Sequence, residues 1–440
     1  MRALFEALQA AAVAHAQWER EMAANIFRSK RRLFVLALLL VPIAVVSVCY
    51  AAPLPSVIGG KETYAPVFFT TTIFIASILV GLCAGLITGC IGAGGGFVIT
   101  PALMSVGVKG ILAVGTDLFH IFAKAIMGTA VHKKLGNVSV KLAVAFLVGS
   151  GFGATLGGTL NRALYKMDPV LSDTFINVVY VVLLGFLGIY ATYDFLSLRK
   201  ASSGVGAHVG DSAHGREAAT KKGGVVATLQ GMKIPPLITF DEDLVPGGKK
   251  IPALFVAIAG AIVGLAAAIM GVGGGFLTFP IFVYVLGVSS FTTVGTDILQ
   301  IIFTAGWACV TQYAIYGFIF YTLAMGMLVG SLLGIQVGAL TTKVVKGIHI
   351  RGFYAITILA GFINRLFALP GKLVEMKLIS LPKWLINVFD FLGFYVFFIV
   401  VGLFAVWVMW EFFGKIGVLR GDVAPAAAST TKRAKSAGGV

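Results

Sequence analysis

The sequence predicts an all-α integral membrane protein that contains two inverted structural repeats, with discontinuous helices at glycine-rich breaks. Composition is the first observation, because the 440 residues are 58% hydrophobic and only 12% charged. The mean hydropathy of +0.96 is also typical of a polytopic membrane protein. Apolar runs long enough to cross ~30 Å of hydrocarbon recur along the whole chain. Finally, three motifs occur twice in the same order.

The N-terminal region, residues 1–32, precedes the first apolar run. One helical face of it carries Leu4, Leu8, Trp18, Met22 and Ile26. This pattern is compatible with an amphipathic helix at the cytoplasmic interface and with a soluble helix. Residues 33–52 then form the predicted first transmembrane helix. We interpret it as an uncleaved span, because the charged stretch before it is longer than that of a usual signal peptide.

Two predicted transmembrane repeats follow, over residues 67–196 and 251–369. The stretch IGAGGGFVITP ends at Pro101, and its near copy MGVGGGFLTFP ends at Pro280. The tetrapeptide Val-Gly-Thr-Asp then occurs twice, followed in each repeat by Val-Gly-Ser with further glycines at a spacing of four. Motifs that recur in one order indicate homologous halves.

The remaining segments connect or follow the repeats. Residues 197–250 are rich in Gly, Ser, Lys and Asp and are predicted to form a cytoplasmic loop. Residues 388–413 form the predicted last transmembrane helix. Residues 414–440 are expected to be a disordered basic cytoplasmic tail.

The distribution of basic residues indicates the orientation. The net charge of +16 arises largely from segments that flank the spans, so it predicts contact with membrane lipids and not with nucleic acid. If each short apolar piece after a glycine cluster is one crossing, each half has an odd number of crossings. The halves are then inverted, and both termini are cytoplasmic. Two basic groups lie on the opposite side in this count: Arg162 with Lys166, and Arg365 with Lys372, Lys377 and Lys383.

The glycine clusters have two interpretations. Contiguous glycines followed by a proline form a poor helix interior. In hydrocarbon, broken helices survive only where protein or water surrounds them. A break would expose the N-terminus of a half-helix, which favours an anion through its free N–H groups and its dipole. Alternatively, the glycines only permit tight helix packing.

Charged side chains inside the spans are the second group of candidates. Asp117, His120 and Lys124 share one helix face, and their counterparts are Asp297, Gln300 and Thr304. Intramembrane ionisable residues are functional candidates. Asp117 and Asp297 are the expected ion-coupling residues, for protons or sodium. A purely structural pairing of Asp117 with Lys124 or His120 is the alternative.

The other expected contacts concern the substrate. The expected substrate-binding residues are Gly92, Gly94, Gly95, Gly96, Thr116, His120, Lys124, Gly271, Gly273, Gly274, Gly275, Thr296 and Gln300. The four cysteines have no metal-binding or disulfide spacing. No cofactor or metal is expected, and no catalytic constellation of His, Cys and Glu lies within the spans.

The motif Gly-x-Gly-Gly-Gly-Phe with a following proline, then Val-Gly-Thr in both halves, resembles the TauE/SafE permease family. The resemblance covers about Val67 to Leu369 and implies an exporter or permease for sulfite or another organosulfur anion, energised without ATP. By match, Gly94–Gly96, Thr116, Gly273–Gly275 and Thr296 would line the path. The chain differs from the family at Asp117 and Asp297, where members commonly carry serine.

We therefore expect a multi-pass secondary transporter of a small sulfur-containing anion in the bacterial inner (cytoplasmic) membrane. The alternative is a cation or metal transporter that uses Asp117 and Asp297. A channel is a third interpretation of the same sequence, and a homodimer is considered as its oligomeric state. An enzyme is not expected.

Overall fold

The computed structural model describes residues 71–91, 95–134, 139–203, 225–232, 234–241, 248–341, 345 and 347–415. Most of these residues are helical, as predicted. The expected N-terminal segment (1–32), the first transmembrane helix (33–52) and nearly all of the expected tail (414–440) lie outside the described residues.

The first half of the described chain contains five helices. They are α1 (Thr71–Ile91), α2 (Gly96–Ser105), α3 (Gly110–Lys134), α4 (Val140–Met167) and α5 (Pro169–Ser203). The short helix α2 follows the first glycine cluster. Its N-cap is Gly95 with a φ of 68°, a left-handed conformation that favours glycine.

The second half repeats this order. After α6 (Val225–Gly231), β1 (Leu237–Phe240) and β2 (Lys249–Pro252), it contains α7 (Ala253–Met270), α8 (Gly275–Pro280), α9 (Ser290–Ala308), α10 (Tyr321–Thr341), α11 (Gly347–Glu375) and a final helix α12 (Lys383–Gly414). A π-helical turn, Ile281–Val285, extends α8. A second π-helical turn, Cys309–Tyr313, extends α9.

Seven helices of the described chain are long and apolar enough to cross a membrane, namely α4, α5, α7, α9 with its π-helical turn, α10, α11 and α12. The protein is therefore a membrane protein by length and composition of its helices. Helix α3, which carries Asp117, His120 and Lys124, is not among the seven. The boundaries predicted for residues 388–413 fall inside the longer α12.

The second glycine cluster separates α7 from α8. Helix α7 ends at Met270, where Gly271 adopts a φ of 80°. Gly273 and Gly274 also have positive φ values of 69° and 89°. Residues with a side chain rarely adopt positive φ values. Three glycines within these four residues therefore allow the chain to leave one helix and start the next.

Helices from the two halves pack against each other in two parallel pairs. In the first pair, α1 lies on α10, and Gly81 and Gly85 contact Met327 and Ser331. In the second pair, α4 lies on α7. There a Cβ built at Gly149 lies 1.7 Å from the carbonyl oxygen of Ala257. Small residues at a spacing of four thus let the backbones touch, as expected for helix packing in membranes.

The central segment, predicted as a solvated loop, contains ordered elements next to the second half. Helix α5 continues to Ser203, and β1 pairs with β2 as an antiparallel hairpin. Asp241 accepts hydrogen bonds from Ser289 N (2.9 Å) and Ser289 Oγ (2.7 Å). Lys249 Nζ donates to the carbonyl oxygen of Gly287 (3.2 Å). β2 runs directly into α7, so the hairpin marks the side from which α7 starts. Its contacts with Gly287 and Ser289 show that the chain after α8 returns to this side.

The opposite end of the bundle joins α4 to α9. Arg162 Nη1 donates to the carbonyl oxygen of Gln312 (3.0 Å). The Arg162 guanidinium also lies 3.8 Å from the centre of the Tyr316 ring. The C-terminal ends of α4 and α9 are therefore neighbours, and α10 starts on this same side.

Candidate functional site

The first short helix, α2, begins against a buried carboxylate. A Cβ built at Gly96 would lie 3.2 Å from Asp117 Oδ2, so glycine lets the start of α2 approach this carboxylate closely. Thr100, one turn into α2, donates its hydroxyl to the same oxygen (3.0 Å). Asp117 thus lies at the end of α2 that carries the positive pole of the helix dipole.

The face of α3 that carries Asp117 is polar and buried. His120 Nδ1 lies 3.7 Å from Asp117 Oδ1, and both side chains have 0% exposure. His120 Nε2 forms a 2.8 Å hydrogen bond with Ser331 Oγ of α10. One further turn along α3, buried Lys124 donates to Thr88 Oγ1 of α1 (3.3 Å). The three residues predicted to share a face therefore do so, inside the protein.

The corresponding face of α9 has the same geometry with different chemistry. A Cβ built at Gly275 would lie 2.8 Å from Asp297 Oδ2. Asp297 Oδ1 accepts a hydrogen bond from Gln300 Nε2 (2.7 Å). Thr304 Oγ1 donates to Gln300 Oε1 (2.8 Å) and lies 2.8 Å from Ser150 Oγ of α4. All of these side chains are buried.

The two glycine-rich segments are neighbours. A Cβ built at Gly96 would lie 2.8 Å from the Cα of Val272. A Cβ at Gly271 would lie 2.9 Å from Thr100 Oγ1 of α2, and one at Gly273 would lie 2.8 Å from the Ile121 side chain of α3. The second glycine turn therefore packs directly on α2 and α3, next to Asp117.

The two threonines predicted to contact substrate make a reciprocal pair of backbone contacts. Thr116 Oγ1 accepts a hydrogen bond from the backbone N–H of Phe320, just before α10 (2.9 Å). Thr296 Oγ1 accepts one from the backbone N–H of Ser139, just before α4 (3.0 Å). Each hydroxyl thereby satisfies one of the unpaired N–H groups near the start of a helix from the other half.

The predicted site residues thus form two clusters and one remainder. The first cluster contains Gly95, Gly96, Asp117, His120 and Lys124, and the second contains Gly274, Gly275, Asp297 and Gln300. Gly271 and Gly273 lie between the two. Gly92 and Gly94 fall outside the described residues.

Two tyrosines near the second glycine turn were missed by sequence reasoning. The hydroxyl of Tyr180 donates to the carbonyl oxygen of Met270 (2.6 Å). The hydroxyl of Tyr313 donates to the carbonyl oxygen of Ala268. They bind carbonyls of the last turn of α7, which have no partner within the helix. Their sequence signal was a phenol inside an apolar run, where a buried hydroxyl needs a hydrogen-bond partner.

Arg365 is a third residue whose position could not be predicted. The crossing count grouped it with the basic residues on the side opposite the termini, and the structure shows that only 3% of it is exposed. Its guanidinium donates to the carbonyl oxygen of Pro101 (3.2 Å), in the last turn of α2, and to Asn364 Oδ1 (2.8 Å). Arg365 therefore places a positive charge at the negative end of the α2 dipole.

Metal binding has no ready-made site in the part of the chain that the structure describes, since no three His, Cys, Asp or Glu side chains gather there. The cysteines described, Cys83, Cys90 and Cys309, are free thiols within helices or helical turns. Cys90 Sγ donates to the carbonyl oxygen of Gly338 (3.4 Å), where α1 packs on α10.

Membrane-crossing helices around buried carboxylates, with a short helix starting beside each carboxylate, define a class of protein: the polytopic membrane transporters. Comparison with known proteins gives the family. The model of the family described as "Sulfite exporter TauE/SafE" matches residues 76–365. The chain belongs to this family.

Curated relatives are described as transporters. Two are probable membrane transporter proteins of Bacillus subtilis (strain 168). YjnA is 23% identical over 60% of this chain and 89% of the relative. YunE is 25% identical over 60% of this chain and 87% of the relative. A probable membrane transporter protein of Xylella fastidiosa (strain 9a5c) is 22% identical over 60% of this chain and 84% of its own length. No solved structure shows significant similarity to the chain. These names agree with the expectation of a membrane transporter that is not an enzyme.

Proposed function

We propose that this protein is a secondary active transporter of a small sulfur-containing anion, such as sulfite or a sulfonate resembling sulfoacetate. A proton or sodium gradient drives the transport, and the two halves are inverted repeats with discontinuous helices at the glycine clusters. The family description supports the substrate class. The proposed location is the bacterial inner membrane, with both termini in the cytoplasm, as the positive-inside rule predicts.

One observation carries the proposal: in each half, a buried aspartate faces the glycine that starts a short helix. Asp117 Oδ2 lies near Gly96, and Asp297 Oδ2 lies near Gly275. Glycine-initiated short helices inside a bundle are typical of transporter substrate sites. The ten residues of α2 give this helix a full N-terminal turn in which an anion is favoured. Lys124 adds a positive charge on the adjacent helix α3.

The position of Asp117 supplies a coupling mechanism. An ionised carboxylate and a substrate anion repel each other at the same helix end. The anion therefore binds well only when the carboxylate is neutralised by a proton or a cation, or moves away. Ion and substrate then stabilise each other's binding, which is the thermodynamic requirement for coupled transport.

Helix directions support the inverted arrangement. Helix α4 ends on the side where α10 starts, as the contact of Arg162 with Gln312 requires. These two helices occupy the same place in the order of their halves. Equivalent helices that run in opposite directions are expected of inverted repeats.

The test is uptake of labelled sulfite and of a labelled sulfonate into proteoliposomes, with and without an imposed proton or sodium gradient. We expect gradient-driven accumulation in the wild type and its loss in Asp117→Asn. The control is Glu375→Gln, which neutralises an exposed carboxylate that pairs with Lys372 (3.0 Å). The control should transport like the wild type.

The same vesicles test the cation alternative. No flux of either anion under any gradient, together with uptake of a metal or alkali cation that Asp117→Asn and Asp297→Asn abolish, would replace the anion proposal. Anion flux that persists without any dependence on an ion gradient would indicate a channel instead.

A further inference from the structure

Two buried polar atoms of α3 face each other without a hydrogen-bond partner among the described residues. They are Asp117 Oδ1 and His120 Nδ1. They lie 3.7 Å apart, and neither side chain has any exposed surface. Buried polar atoms in proteins are nearly always hydrogen-bonded, so an unpaired couple of this kind indicates a missing hydrogen or ligand.

The neighbouring contacts show which kind of atom is missing. Asp117 Oδ2 already accepts a hydrogen bond from Thr100. On the imidazole, Nε2 lies 2.8 Å from Ser331 Oγ. We assign the Ser331 hydroxyl hydrogen to the carbonyl oxygen of Leu328 (3.2 Å), and with this assignment the hydrogen between His120 and Ser331 belongs to Nε2. Nδ1 then presents a lone pair to Asp117 Oδ1. Two acceptors face each other, and a donor is needed between them.

We propose that Asp117 and His120 form the proton-binding site of the transporter, with the proton on Asp117 Oδ1 and directed toward His120 Nδ1. This inference rests on the proposed function. It specifies that the coupling ion is a proton and not sodium, and that the proton binds in the first half and not in the second. A hard cation favours a shell of oxygen ligands, as Ca²⁺ and Mg²⁺ do. One of the two facing atoms here is a nitrogen.

The second half provides an internal contrast. Gln300 occupies the place of His120, and its Nε2 donates to Asp297 Oδ1 (2.7 Å). Its Oε1 accepts from Thr304 (2.8 Å). An amide supplies both a donor and an acceptor, so this cluster is satisfied with an ionised carboxylate. Asp297 therefore needs no proton of its own, and the two aspartates have different roles.

The remaining groups around Asp117 come from several packed elements. Lys124, on the same helix, and Tyr180, on α5, interact electrostatically with the carboxylate. Thr100 of α2 and Ser331 of α10 are the neutral neighbours. Loss of the proton would leave a carboxylate next to Lys124 and at the start of α2, so deprotonation changes the field that a substrate anion experiences there.

The test uses infrared difference spectra of the purified full chain between neutral and alkaline pH, because a protonated carboxyl has its own C=O stretching band and ordinary surface carboxylates are already ionised at neutral pH. We expect a band from a buried carboxylic acid in the wild type and in Asp297→Asn. Asp117→Asn should remove this band. His120→Gln should also remove it at neutral pH, because the amide hydrogens donate to an ionised carboxylate as Gln300 does. The reverse change, Gln300→His, should add a second band that Asp297→Asn removes.

Circular dichroism and gel filtration establish that each variant is folded. A wild-type band that survives in Asp117→Asn or disappears in Asp297→Asn would overturn the inference, as would a wild type without such a band. The outcome is separable from the proposed function. An Asp117 band without sulfite or sulfonate flux would refute the proposed substrate class but support the proposed proton-binding site. Proton-driven flux with a band that follows Asp297 would refute only the site.

Discussion

The two halves of this transporter share their geometry and differ in their chemistry. In both, an aspartate faces the first glycine of a short helix, and a threonine one residue earlier binds a backbone N–H of the other half. Around this common frame, the first half carries His120 and Lys124, and the second carries Gln300 and Thr304. The comparison teaches that the two halves share these backbone contacts, whereas the charged side chains of the site are concentrated in the first half.

The far ends of the two short helices show the same difference. The last turn of α2 is bound by Arg365, which is buried. After α8, the chain turns at Gly287, whose carbonyl oxygen is bound by Lys249. The Lys249 side chain is 30% exposed and lies 3.9 Å from Asp241. Each short helix thus has a carboxylate at one end and a basic side chain near the other. Only in the first half are both of these side chains buried.

The largest expected effect comes from breaking a contact that the halves share. Gly149→Leu should prevent folding or lower the free energy of unfolding by about 3 kcal/mol or more, because overpacking forces backbones apart. The side chain would collide with the carbonyl oxygen of Ala257. Unfolding of the purified variant in mixed micelles measures the effect.

The matched control is Gly151→Ala, two residues further along α4. Apart from the local backbone of its own helix, no heavy atom of the described residues lies within 4 Å of a Cβ built there. This variant should be as stable as the wild type or more stable, since alanine favours a helix over glycine by roughly 0.5–1 kcal/mol. Gly330→Leu should repeat the large effect where α1 packs on α10, and a mild result there would show that the two pairs are not equivalent.

An intermediate effect should separate the two halves. Arg365→Met removes the cation that binds the last turn of α2. We expect it to lower the free energy of unfolding by about 3 kcal/mol, because hydrogen bonds to charged groups contribute roughly 1.5–3 kcal/mol each. Lys249→Met should lower the free energy of unfolding by less than about 1 kcal/mol, since partly exposed ion pairs contribute little. Thermal or micellar unfolding of both variants provides the comparison. Equal losses would contradict the asymmetry.

The smallest effect tests what the threonines do. Thr116→Val and Thr296→Val should each lower the free energy of unfolding by about 1–2 kcal/mol, because a backbone N–H loses its partner. Thr→Ser at either position should restore stability. Because both hydroxyls are hydrogen-bonded to the backbone, KM for the transported anion should change less than about twofold. A large rise in KM with unchanged stability would instead indicate that these threonines contact the substrate.

The membrane class, most helix positions and the polar face of α3 could be predicted from the sequence, because hydropathy and helical periodicity are local properties. Spacing alone placed Asp117, His120 and Lys124 on one face. The partner of His120 could not be predicted, since Ser331 belongs to the other half and comes close only through the packing of α10. The positions of Tyr180 and Arg365 depend on tertiary contacts in the same way.

The central segment shows a different limit. Its polar composition indicated a solvated loop, yet Ile238 and Phe240 are buried in the hairpin. Two short strands with a few apolar residues give a weak sequence signal. The hairpin becomes stable through Asp241, which binds Ser289 at the start of α9. The inverted repeat and the limits of the predicted domains remain predictions.

The pairing of α1 with α10 also constrains biosynthesis. The hydrogen bond between Cys90 and Gly338 joins residues 248 positions apart in the chain. A ribosome therefore releases α1 into the membrane long before its partner has been translated, whereas α4 meets α7 much sooner. The glycine-lined face of α1 must be covered by lipid or by the insertion machinery during this interval. The first described helix to be made is thus among the last to reach its final neighbours.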